Sequence, residues 1–191
     1  MEGSTSLKEK LILAGLQEIR QHGLQDFSLR KISAACGVSC AAPYKHFRDK
    51  QDFFLEVILY IDQQWRRIQL QVLEQLGEDA STQEKLVEIA MAYIRFLMDN
   101  PRFRSLLLIR DRGMTQEYIR AKAGMSSISH ALIQQYCTEV NMSQEDRVRK
   151  TFVVRSYIYG ASLMLDSEAL VYSPETLEMV RSLIQREFSL P

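Results

Sequence analysis

Tyr44, Lys45 and His46 stand in consecutive positions behind Cys40, Ala41, Ala42 and Pro43. The run is suited to holding a nucleic acid. A phenol, an ammonium and an imidazole reach phosphate oxygens or a guanine edge. Small residues ahead of them let a helix sit deep and meet thymine methyl groups. Ser28 and Ser39 stand where helices begin, so each offers a hydroxyl and free backbone N–H groups to a phosphate, helped by the helix dipole. Lys50 does the same one helix later, and Arg30 leans towards the groove from the preceding helix. The expected contact set is therefore Ser28, Arg30, Ser39, Cys40, Ala41, Ala42, Tyr44, Lys45, His46 and Lys50, and the expected partner is double-stranded DNA. Each also has a plainer reading: the two serines cap helices in any protein, Tyr44 is half core, and His46 packs.

Other chemistries find less support. His22, His46 and His130 lack the Glu three residues earlier that helical di-metal sites use. No P-loop, GxGxxG or GxSxG occurs. Cys36, Cys40 and Cys137 are odd in number and have no CxxC spacing, which argues against a disulfide framework or a zinc site. No enzyme activity, metal or cofactor is expected. One redox idea concerns Cys40: at a helix N-terminus the dipole lowers a thiol's pKa, and oxidation there places charge in the groove. The alternative is simply a small residue.

The elements that must position these groups are helices. Pro and Gly total twelve of 191 residues, and no alternating strand pattern persists. A first helix from about Ser6 to Gln21 carries Leu11, Ile12, Gly15, Leu16 and Ile19 on one face and stops at Gly23. Ser28 caps a second, Leu29 to Cys36, with Leu29, Ile32 and Ala35 inward. Gly37 turns the chain, Val38 plugs the angle, and Ser39 caps a third helix, about Cys40 to Phe47. Two short helices joined by a glycine-containing turn make a helix-turn-helix. Asp49 caps a long fourth helix, Lys50 to Leu76, striped by Phe54, Ile58, Ile61, Trp65, Ile68 and Val72. The box Ser81–Glu84 opens a fifth, to Asp99, with Leu86, Ala90, Tyr93 and Leu97 inward. Pro101 starts a short sixth, broken by residues 110–114. A seventh spans about Thr115 to Val140, an eighth Gln144 to Leu170, and a ninth runs from Ser173-Pro174 to Phe188.

The formal charge is zero, but it is unevenly spread. Residues 1–50 hold eight Lys/Arg against five Asp/Glu; the remainder holds sixteen against nineteen. A basic head on an acidic body fits a division of labour, with residues 1–50 binding DNA and 51–191 binding ligand and partner. No run of about 18 apolar residues spans a membrane. The N-terminal stretch lacks an apolar signal region, so a reduced, cytoplasmic protein is expected.

From Phe152 to Leu165 apolar residues point in every direction, which requires cover on all sides. The eighth helix is either the centre of the protomer's own core or half of a dimer interface. The second reading uses Arg155, Tyr159, Gly160 and Leu163 with Val180, Leu183 and Ile184 of the ninth helix. Aromatics and methionines on inner stripes, namely Trp65, Phe96, Phe103, Met114, Met125 and Tyr157, either line an effector site or simply fill the core. With few polar residues inward, a largely apolar effector is favoured.

The stretch FSLRKISAACGVSCAAPYKHFRDKQDFF, Phe27 to Phe54, resembles the N-terminal domain of the tetracycline-repressor (TetR) family. The likeness covers Leu11 to about Leu55. It includes Gly15, Gly23, Ser28 where the family often has Thr, Ile32, Gly37-Val38-Ser39, Tyr44, Phe47 and Lys50. The body is similar in architecture only. The resemblance implies an all-α fold: a three-helix head carrying the helix-turn-helix, then a six-helix ligand-binding and dimerisation bundle. It also implies a homodimer on a near-palindromic operator, repression as the usual outcome, and an unknown small-molecule effector that tilts the fourth helix and changes head separation. A different class remains open: a helical carrier or signalling module that keeps the head only as scaffold.

Overall fold

The computed structural model describes residues 6–24, 26–107 and 113–189, Ser105 by its backbone alone. The described residues are helical, without strands: α1 (Leu7–His22), α2 (Leu29–Ala35), a 3₁₀ turn (Pro43–Lys45), α3 (Lys50–Leu76), α4 (Thr82–Asp99), α5 (Pro101–Leu107), α6 (Gln116–Gly124), α7 (Ser127–Glu139), α8 (Gln144–Asp166) and α9 (Pro174–Ser189). Of the break expected at 110–114, residues 110–112 lie outside the described residues. The chain forms two compact units, one of residues 1–63 with 100–124, the other of residues 64–99 with 125–191.

In the first unit, local chemistry sets the helix ends. The Ser6 hydroxyl accepts from the Glu9 N–H at 3.2 Å. The α1 backbone closes at Gly23, whose φ of 78° suits glycine. Leu11, Ile12, Gly15, Leu16 and Ile19 are buried, as their spacing predicts. They meet a cluster of phenylalanines. Phe27 stacks on Phe53 at 4.8 Å, and Phe47 meets Phe53 edge-on at 5.0 Å. Phe54 lies 5.1 Å from Phe27. The cluster joins the segments on both sides of the helix-turn-helix to the first turns of α3. It needs Gly15, because a Cβ there falls 2.1 Å from Phe53 Cζ. On α2 the third inward residue is Ser33, not Ala35, which is exposed. The Ser33 hydroxyl donates to the Leu29 carbonyl at 2.8 Å, so its polarity is satisfied inside the helix.

The third helix differs from expectation. Between Ser39 and Phe47 the backbone makes a run of three-residue bonds: Ala42 N–H to Ser39, Tyr44 to Ala41, Lys45 to Ala42, His46 to Pro43. Pro43 has no N–H to give the Ser39 carbonyl, so an α-turn cannot close there and the tighter 3₁₀ winding takes over. Ser39 consequently supplies a carbonyl rather than a side-chain cap; Ala42 occupies the cap position.

In the second unit α4 is the central helix. It packs against α7, α8 and α9, with Leu86, Val87, Ile89, Ala90, Met91, Ala92, Ile94, Phe96 and Leu97 buried around most of its circumference. Its start is the Ser81–Glu84 box, Glu84 accepting from both the Ser81 N–H and hydroxyl. The α3 stripe shifts near its end: Gln69 is buried, while Ile68 and Val72 are half-buried. The long helix expected over 115–140 is two helices, because Met125 and Ser126 interrupt it just after Gly124. Glycine and serine are poor helix residues, and a bend there costs little. Met125, Leu132 and Tyr136 are buried where the uninterrupted line had put Ala121, Met125, Ile128, Leu132 and Gln135.

Candidate nucleic-acid interface

The helix-turn-helix turn is built as its residues suggest. Gly37 has φ 67°, and the Val38 N–H donates to the Ser33 carbonyl at 3.0 Å. The buried side of the unit (Leu29, Ile32, Pro43, Phe47) leaves the opposite side free. Arg30, Ser39, Cys40, Ala41, Tyr44 and Lys45 are exposed, with Tyr44 55% accessible, unusually open for a large ring. Ala42 and His46 are half-buried. The His46 ring lies 6.1 Å from Phe47, so it combines packing with a solvent edge. Ser28 is half-buried and caps α2, accepting from the Arg30 N–H at 3.3 Å. Cys40 is an exposed free thiol. It precedes a three-residue 3₁₀ turn, so the helix dipole invoked for its activation is missing there. Cys36 is turned inward, its Sγ 3.6 Å from the Lys10 carbonyl, and burial pushes its thiol pKa up.

Lys50 is the exception in the set. Its ammonium donates to the Leu24 carbonyl at 2.8 Å and lies 5.6 Å from the Phe27 and Phe54 ring centres. The side chain pins the loop after α1 onto the phenylalanine cluster, which leaves the helix N-terminus rather than the ammonium for an anion. This inward turn has no local sequence signal.

The joint between head and α3 is a reciprocal cap. The Asp52 N–H donates to Asp49 Oδ1 at 2.9 Å. Asp52 accepts from the Arg48 backbone N–H and from Arg48 Nη2, both at 2.8 Å. These bonds hold the Asp52 carboxyl below its ordinary pKa, with the Arg48 side chain the largest cause. A depressed carboxyl stabilises the fold fully above its unfolded pKa and stops doing so as pH falls through its folded one. An Asp52→Asn protein is therefore expected to melt below the wild type at neutral pH, with the gap closing as pH is lowered through and below the ordinary carboxylate range. A gap independent of pH in thermal denaturation removes Asp52 from the joint.

The comparisons decide what kind of head this is. The family model described as "Bacterial regulatory proteins, tetR family" matches residues 11–57. The head of the chain is similar to the N-terminal domain of that family. Solved structures of similar fold cover the chain well beyond that segment. A TetR family transcription regulator from Marinobacter aquaeolei VT8 is 18% identical with a TM-score of 0.78, covering 94% of each chain. A TetR transcriptional regulator from Legionella pneumophila is 16% identical with a TM-score of 0.70, covering 97% of this chain and 98% of that one. FadR from Bacillus subtilis, solved with stearoyl-CoA, is 16% identical with a TM-score of 0.72, covering 94% and 97%. No curated protein matches the chain.

The residues expected to meet an effector fall in both units. Phe103, buried on α5, meets Tyr60 edge-on at 6.2 Å in the first; Met114, half-buried, belongs there too. In the second, Trp65 lies 5.4 Å from Phe96 and 4.9 Å from Tyr93. Burial is the main cause raising the Tyr93 phenol's pKa, with Tyr159 adding to it and Arg155 opposing. Met125 is buried after α6, and Tyr157 is half-buried on α8.

The α8 residues assigned to a dimer are open. Arg155, Tyr159 and Leu163 are exposed and Gly160 half-buried. Val148, Phe152 and Met164 join them as exposed apolar side chains. On α9 two apolar stripes lie on different sides, Met179 with Leu183 and Val180 with Ile184. Leu183 and Met179 face solvent, whereas Val180 and Ile184 are buried inside the protomer and are not available to a partner. No helix among the described residues is long and apolar enough to cross a membrane.

Proposed function

We propose that the protein is a homodimeric, effector-responsive DNA-binding regulator, most simply a repressor. Two copies of the head, residues 1–50, bind the two halves of a near-palindromic operator. The body, residues 51–191, carries the effector site and the dimer surface. The observation that carries this reading is the outward face of the head: Arg30, Ser39, Cys40, Ala41, Tyr44 and Lys45 are exposed together beside a rigid aromatic core. Ala41 and Ala42 leave room for a base edge, Tyr44, Lys45 and Arg30 reach phosphate or guanine, and the α2 and α3 N-termini carrying Ser28 and Lys50 meet the backbone. His46 takes a flanking contact.

Two heads must meet grooves about 34–36 Å apart, so a small change in spacing weakens both contacts together. The helix α3 is shared by both units and is the covalent lever for that change. An effector acts by favouring the spacing that does not fit DNA. Its candidate contacts are Trp65, Phe96, Met125 and Tyr157 in the second unit or, separately, Phe103 and Met114 in the first; the FadR structure with stearoyl-CoA, an acyl chain on a charged CoA, supports a fold able to take a long apolar chain.

The test is selection of operator DNA from a random pool, followed by titration over a range of salt. Lys45→Ala is expected to weaken binding and flatten the salt slope by about two units, one for each head. Tyr44→Ala, which removes both hydroxyl and ring, is expected to weaken it more, by about 10–100-fold. A selection that enriches no sequence, or a folded Tyr44→Ala protein with unaltered affinity, overturns the assignment of this face.

A further inference from the structure

We propose that Gln69 and Ser129 are the polar reading groups of the effector site. The effector they fit is a neutral, flat apolar molecule bearing one hydrogen-bonding oxygen. The inference rests on the effector-responsive reading above and names its ligand class.

Gln69 is 1% exposed on α3. Its amide makes a single hydrogen bond to the described residues, Nε2 donating to Ser129 Oγ of α7 at 3.3 Å. A primary amide has two donor hydrogens and an acceptor oxygen with two lone pairs, so most of that capacity is open. Buried polar groups are almost always satisfied, and leaving them unmade is unfavourable. An amide held this deep on one long bond is thus poised for a further partner. It also sits one helical turn from Trp65 on the same face of α3. Trp65 in turn packs with Tyr93 and Phe96 of α4. An aromatic wall beside an under-used amide and a hydroxyl is the composition of a small-molecule site: apolar surface for affinity, a few polar groups for orientation.

Charge decides between ligand classes. An acid bound here needs a buried cation, because an unpaired charge out of water is strongly disfavoured. Among the described residues of this unit the buried side chains that carry charge at neutral pH are Lys150 and Glu187. Lys150 Nζ is already committed to the Glu187 carbonyl at 2.8 Å. Arg155, which acts on the Tyr93 phenol from α8, is exposed. A neutral oxygen that accepts from Nε2 and donates to the Gln69 carbonyl, or bonds to Ser129, needs no counter-charge.

Trp65 is the sole tryptophan of the chain, so its fluorescence reports this site directly. The probes are naphthalene, 2-naphthol and 2-naphthoate, which share a ring and differ in the polar group. In the wild type 2-naphthol is expected to bind about tenfold more tightly than naphthalene, with naphthoate weaker than naphthol. Gln69→Leu should bring the naphthol-to-naphthalene ratio near one, and Ser129→Ala should reduce it by a smaller factor. A merely structural role moves both affinities and leaves their ratio. The proposal is overturned by a wild-type ratio near one, by a ratio retained in Gln69→Leu, by naphthoate binding most tightly, or by no saturable change with any probe. Operator binding without probe is measured alongside. Its loss in the wild type sinks the regulator reading instead, and its retention in Gln69→Leu shows the variant folded.

Discussion

A Gly15→Ala protein is expected to lose about 2 kcal/mol of stability and most of its DNA binding, although alanine is the better helix residue. The two effects pull in opposite directions, and their sizes decide. Replacing a mid-helix glycine by alanine normally stabilises by about 1 kcal/mol. Here the new methyl lies 2.1 Å from Phe53 Cζ, well inside contact distance. The ring cannot swing away, because Phe53 is fully buried and held by Phe27, Phe47 and Phe54. Forcing a methyl into a packed core costs up to about 3 kcal/mol, so the clash wins. For a chain of this length the midpoint should fall by about 4–8 °C. DNA binding suffers beyond that, because Phe27 and Phe47 flank the helix-turn-helix. A higher melting temperature for the variant contradicts this account of the head.

Phe152→Asp should convert a dimer into monomers without harming the protomer. Phe152 is 71% exposed and Leu163 61%, and Val148 and Tyr159 share their face of α8. In an isolated protomer an aspartate there is neutral or helpful to solubility. In a two-fold interface the change occurs twice and introduces two charges into an apolar patch. Losing about 2 kcal/mol of burial at each of two rings corresponds to roughly a thousandfold weaker association. Binding to a two-half-site operator should fall by about 10²–10⁴ through lost avidity alone. Sedimentation velocity at micromolar protein reads the first effect and DNA titration the second. Val180→Ala is the control: its side chain is buried within the protomer, so it should lower the melting temperature. An intact Phe152→Asp dimer places the interface elsewhere.

Both arguments use information the sequence held in unequal measure. Gly15 and the phenylalanines of the head are legible because the TetR-like pattern brings them together within about fifty residues. The two stripes of α9 are legible as stripes, but nothing local says which one faces inward. Gln69 was hidden because it continues the Trp65 line as a polar residue among apolar ones, a pattern normally read as the stripe's edge. Lysines usually reach outward, and the carbonyl and ring partners that turn Lys50 inward come from distant positions.

By itself the sequence determined where most helices begin and the family that the head resembles. Caps such as Ser6, Ser28, Asp49, Ser81 and Ser143, the last accepting from the Asp146 N–H, act on backbone groups two or three residues away, so the chain encodes them locally. Tertiary structure decided that α4, rather than α8, takes the centre of its unit. It also decided that residues 100–124 join the head's unit and that Gln69 is enclosed. Hydrophobicity demands cover without specifying what supplies it, and that choice is made only when all the helices compete for the same surfaces.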